Sequence, residues 1–100
     1  MLEVQLFTQS HEKTILMFDN NVLEYFYGTS NGETYRYHAG QIKSIEITTD
    51  TKGKHILIMS TKFHTRTEDV ADKALAKTKE LVAEVQRAMK STPFVLDHVA

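Results

Sequence analysis

The sequence predicts a mainly β domain that ends in one helix. Apolar and polar residues alternate in short runs from residue 2 to about residue 66, clusters of Gly, Asn and Asp separate the runs, and from Thr67 to Met89 the apolar period becomes 3.6. The chain has 100 residues, 41% hydrophobic and 25% charged, with four Gly, one Pro and no Cys. That length and composition fit a single globular domain and exclude collagen-like, disordered and disulfide-stapled chains. The expected domain spans residues 1–92, with strands over about 2–66 and a helix over about 68–91, followed by a tail at 93–100.

The expected strands are 2–8, 13–18, 22–27, 33–38, 42–49, 54–59 and 62–66. Between them lie Gln9-Ser10-His11-Glu12, Asp19-Asn20-Asn21, Gly28-Thr29-Ser30-Asn31-Gly32, Ala39-Gly40-Gln41 and Asp50-Thr51-Lys52-Gly53. Gly and Asn tolerate positive φ, and Asp and Asn close turns through their side chains, so these segments read as connections. Ser60-Thr61 is read as a tight turn with weak turn chemistry.

Two registers follow from side-chain pairing. Across the 28–32 loop, Tyr25 is set opposite Tyr35, Leu23 opposite Tyr37, Glu24 opposite Arg36, Phe26 opposite Thr34 and Val22 opposite His38. One face is then aromatic and the other holds an opposite-charge pair, each good pair contributing roughly 0.2–1 kcal/mol. Across the 50–53 loop, Thr49 is set opposite Lys54, which places Ile45, Ile47, Ile56 and Ile58 on one face, joined by Phe63. The reverse face then holds Ser44, Glu46, His55, Leu57, Met59, Lys62, His64 and Arg66. At Asp19–Asn21 two registers are equally good.

In the helix, Ala71, Ala74, Leu75, Thr78, Leu81, Val82, Val85, Ala88 and Met89 form the apolar stripe. Thr67 is the expected N-cap, with Glu68 and Asp69 in the first turn, Arg87 and Lys90 at the far end, and Pro93 as the stop.

The segments Val22-Leu23-Glu24-Tyr25-Phe26-Tyr27 and Tyr37-His38-Ala39-Gly40-Gln41-Ile42-Lys43-Ser44-Ile45-Glu46-Ile47, followed by an amphipathic helix, resemble the pleckstrin-homology-like (PH-like) fold. The likeness lies in element order and hydrophobic pattern over about residues 2–89. It implies a seven-stranded, partly open antiparallel barrel of two near-orthogonal sheets with the helix at one end. It also implies ligands that are peptides, partner proteins or lipid headgroups. The family's headgroup binders resemble one another in a basic first-hairpin motif, whereas the loop here is Gln9-Ser10-His11-Glu12-Lys13, so headgroup binding is not carried over. The same pattern also permits an α+β roll, an antiparallel sheet wrapped on one helix.

Glu46, His55 and His64 share the reverse face, but Glu46 and His64 stand two strands apart, about 10 Å between backbones, so no metal or cofactor is expected. The sequence lacks H-E-x-x-H, G-x-S-x-G, P-loop and G-x-G-x-x-G motifs, and no catalytic residue is assigned. The tyrosines at 25, 27, 35 and 37 could stack single-stranded nucleic acid only beside a basic groove, and the hairpin offers Arg36 alone, on the other face. They are read as core. A net charge of −1 gives no long-range attraction to polyanions, so nucleic acid is not an expected partner.

The sequence is therefore read as a non-enzymatic binding or scaffolding module that engages a protein or a second copy of itself. Its expected surface is an exposed apolar pair, Leu57 and Met59, rimmed by His55, Lys62, His64 and Arg66. The alternative is a small-molecule or metal-dependent enzyme with a site at the barrel mouth. The N-terminus alternates as a strand does, and no apolar run reaches the length of about 20 residues that spans a bilayer. The expected location is the cytoplasm.

Overall fold

The computed structural model describes residues 1–6, 14–28 and 33–91. It contains two antiparallel sheets, of four and three strands, and one C-terminal helix. The first sheet runs in order β1 (Leu2–Gln5), β2 (Thr14–Asp19), β3 (Val22–Tyr27) and β4 (Thr34–His38). A 3₁₀ turn, Ala39–Gln41, leads to the second sheet, β5 (Ile42–Thr49), β6 (His55–Thr61) and β7 (Thr65–Val70). A second 3₁₀ turn at Asp72–Ala74 opens α1 (Leu75–Ser91). The loop at 7–13, residues 29–32 and the tail from 92 onward, including Pro93, His11 and His98, lie outside the described residues.

Alternation builds the first sheet. Val4, Leu6, Leu16, Phe18, Leu23, Tyr25 and Tyr37 are buried, while Glu3, Arg36 and Asp19 point away. The β3–β4 register matches the aromatic pairing expected from sequence, with Tyr25 opposite Tyr35 and Leu23 opposite Tyr37. On the outer face Glu24 pairs with Arg36 at 3.4 Å. The β2–β3 register, open at the sequence level, is settled by a two-residue turn. Asn20 (φ 51°) and Asn21 (φ 65°) both take the left-handed conformation that a type I′ turn requires, setting Asp19 opposite Val22.

The β5–β6 hairpin departs from expectation by one residue. Thr49 lies opposite His55 rather than Lys54, Ile47 opposite Leu57 and Ile45 opposite Met59. The turn explains the slip: Gly53 N–H bonds to Asp50 O at 3.0 Å, Asp50 N–H bonds to Lys54 O at 2.9 Å, and Gly53 sits at φ 82°. That extra left-handed residue lengthens the loop by one on the β6 side, and a one-residue slip exchanges the two faces of a strand. Leu57 and Met59 are consequently 0% exposed, in the core beside Ile45. Ile56 and Ile58 take the outer, half-buried positions instead. The four-isoleucine face does not form.

The β6–β7 connection differs too. The chain does not turn at Ser60-Thr61. It turns over Thr61–His64, with Thr61 N–H bonded to His64 O at 2.9 Å, so Ser60 faces Thr65 and Leu57 faces Glu68. This register pairs β7 with six residues of β6 and carries the strand to Val70, which is 4% exposed. The helix therefore begins at Leu75, not near residue 68, and Glu68 and Asp69 are strand residues. Ala71 stays extended and bonds through its N–H to Leu6 O at 3.1 Å, joining β1 to the end of β7.

Along α1, Thr78, Leu81, Val82, Val85 and Ala88 are buried, as the sequence stripe predicts. The helix rests on β5 and β1. Gln86 reaches across to donate from Nε2 to Ile45 O at 2.8 Å, satisfying a carbonyl on the edge of β5. Among the described residues, no helix is long and apolar enough to cross a membrane.

Candidate functional site

Because Leu57 and Met59 point inward, so do their β7 partners. Glu68 stands opposite Leu57 and Arg66 opposite Met59. Both side chains therefore meet the aromatic face of β3 and β4, where Tyr25, Tyr27, Tyr35 and Tyr37 form a cluster. Tyr25 stacks on Tyr27 with ring centroids 6.2 Å apart and meets Tyr37 edge-on at 6.0 Å. Tyr27 meets Tyr35 edge-on at 5.8 Å. These arrangements suit the ring quadrupole.

Arg66 lies across this cluster. Its guanidinium carbon is 3.6 Å from the Tyr35 ring centroid and 5.8–5.9 Å from the other three. Its Nε donates to the Tyr37 hydroxyl, and Nη1 donates to the Tyr27 hydroxyl at 3.4 Å. Burial works against its charge, but the two hydroxyls outweigh burial and hold the guanidinium firmly protonated. The Tyr37 hydroxyl, accepting from Arg66, also lies 2.8 Å from His64 Nε2, within hydrogen-bond distance. The Tyr27 hydroxyl donates to Glu68 Oε1. A continuous polar chain thus runs from His64 through Tyr37, Arg66 and Tyr27 to Glu68, bridging the two sheets.

Desolvation shifts the acids of this chain upward. Burial raises the Glu68 carboxyl above its ordinary value; the Tyr27 hydroxyl and Arg66 pull it back in part, and Asp69 adds to the rise. Burial also lifts the Tyr27 phenol, reinforced by its bond to Glu68. Tyr25 is lifted by burial first, then by Tyr27, Glu68 and Tyr37. Its hydroxyl is fully buried and has no hydrogen-bond partner among the described residues.

At the end of this chain stands the Thr61–His64 turn, whose conformation is fixed by one side chain. Thr61 Oγ1 accepts from Phe63 N–H at 3.2 Å and from His64 N–H at 3.3 Å. The Phe63 ring projects from the turn, 76% exposed, with Lys62 and His64, both exposed, on either side.

The six residues expected to form one surface separate into three groups. Leu57 and Met59 are core and present nothing to solvent, so the exposed apolar pair does not exist. His55 sits at the far end of β6. Its Nδ1 lies 2.9 Å from Thr49 Oγ1 and its Nε2 2.9 Å from Asp72 Oδ1, a strut between the hairpin and the start of the helix. Lys62, His64 and Arg66 do share one end of the second sheet, but the apolar group among them is Phe63. Glu46, opposite Ile58, is turned outward and shares no face with His55 and His64. Among the described residues, no three His, Asp or Glu side chains are placed to hold a metal ion.

Sequence reasoning missed Glu68, read as a helix-start charge, and Phe63, placed on an apolar face. The β-branched Thr65, Thr67 and Val70, which favour strands, were the available signal for a longer β7. No protein-family model, curated protein or solved structure matches this chain.

Proposed function

We propose that the chain is a non-enzymatic protein-binding module of PH-like architecture, its two sheets and helix forming a partly open seven-stranded barrel. The partner, another protein or a second copy, seats on the end of the second sheet around Phe63. The observation that carries this reading is the 76% exposure of Phe63 on a turn held by two hydrogen bonds from backbone N–H groups to Thr61 Oγ1. An aromatic ring left in water forgoes the burial that stabilises its neighbours, and a locked turn presents it with little conformational entropy left to lose on binding. Aromatic residues and Arg concentrate at interface cores, and Arg66 lies three residues along the chain.

Affinity capture tests the reading with three baits: wild type, Phe63→Ser, and Lys43→Ala as an exposed control on β5. A discrete protein held by wild type and Lys43→Ala, released by Phe63→Ser, and bound again when both components are purified supports it. For self-association the equivalent is a concentration-dependent sedimentation coefficient lost in Phe63→Ser. Identical capture by all three baits together with monomeric sedimentation removes it.

A further inference from the structure

Resting on that reading, we infer that the partner presents an acidic segment with an apolar side chain at its centre. The charge beside Phe63 is the reason. Arg66 follows it by three residues, on β7. The direct hydrogen bonds of Arg66 go to the hydroxyls of Tyr37 and Tyr27, and its flat face lies on Tyr35. Among the described residues, no carboxylate stands within ion-pair distance of it. Glu68, two residues on, is turned onto the Tyr27 hydroxyl.

A guanidinium carries five N–H donors, and the described residues engage two of them. Tyrosines fix it in place, and Glu68 is coupled to it through the Tyr27 hydroxyl and not by an ion-pair contact. A carboxylate is the group that matches such a planar fork. A guanidinium beside an apolar anchor steers acidic chains and repels basic ones. The net charge of the chain is −1, so this complementarity belongs to the patch and not to the molecule as a whole.

The test is fluorescence anisotropy on the purified full chain with three labelled peptides. Each has a central phenylalanine flanked on both sides by glutamate, by glutamine or by lysine. The expected order is glutamate tightest, by at least about tenfold over glutamine, with affinity falling as salt is added. Phe63→Ser, at an exposed position, should weaken the glutamate peptide by about tenfold or more; Lys43→Ala should not. Arg66→Lys keeps the charge but loses the fork and should weaken it several-fold. Equal binding of the glutamate and glutamine peptides, tighter binding of the lysine peptide, or no saturable binding of any peptide overturns the inference. If a Phe63-dependent partner has been captured and the peptide series fails, the acidic class falls and the binding module stands; if both fail, both fall.

Discussion

The Tyr27 phenol, on β3 of the first sheet, donates to the Glu68 carboxylate on β7 of the second. The same phenol accepts from Arg66 at 3.4 Å, so one hydroxyl couples an anion and a cation that do not touch. Removing one partner of a bond to a charged group leaves the other desolvated. Tyr27→Phe should therefore destabilise by about 1–3 kcal/mol, and by less in a Glu68→Gln background. Urea unfolding of the two single variants and the double variant yields the coupling directly.

Burial raises the Glu68 carboxyl, so the folded state binds its proton more tightly than the unfolded state does. The stability this contributes is fully present below the ordinary carboxylate value and is lost as pH rises through the folded value. Glu68→Gln keeps an acceptor for Tyr27 and cannot titrate. Its stability relative to wild type should rise with pH just above the ordinary carboxylate range and then level off. Unfolding free energies measured across that window check the sign; a relative stability that falls instead contradicts the desolvation argument.

Tyr25 carries a buried hydroxyl with no hydrogen-bond partner among the described residues, so no bond within them offsets its desolvation. Tyr25→Phe deletes only that oxygen. It should leave stability unchanged or raise it, by up to about 2 kcal/mol, as read from the urea midpoint at constant m-value.

The β5–β6 register assigns opposite fates to neighbouring residues. Leu57→Ala should destabilise by about 2–5 kcal/mol, as core truncations do, whereas Ile56→Ala, at a half-buried outer position, should cost less. The register expected from sequence alone demands the reverse order, so paired denaturation curves decide between them.

Gly53 adopts φ 82°, and a Cβ added there would meet nothing within 4 Å. Any loss in Gly53→Ala is therefore backbone strain alone, about 1–2 kcal/mol. Thermal unfolding should show that loss; an unchanged midpoint would argue against the left-handed residue that sets the register.

Much of the fold was legible because short-range physics determines it. The alternation along residues 22–27 and 34–38 has one arrangement that gathers the tyrosines and pairs Glu24 with Arg36, and the structure adopts it. The helix stripe from Ala74 to Ala88 was equally plain. Legibility failed where a single residue of loop geometry controls a whole face. Gly53 adds one residue to its loop, and that parity sends Leu57 and Met59 inward and Ile56 and Ile58 outward. It failed again at Glu68-Asp69, where local helix-start chemistry points one way and pairing with β6, distant in sequence, decides the other. The candidate site inherits both errors. Lys62, His64 and Arg66 lie at one end of the second sheet, where the exposed ring is Phe63.

The central claim is that Phe63 is where this protein meets its partner. A photoreactive benzoylphenylalanine placed at Phe63, and separately at Lys43, tests it in the cell. The account predicts a discrete crosslinked product from position 63 that position 43 does not give. The same products from both positions, or none from position 63, would contradict it.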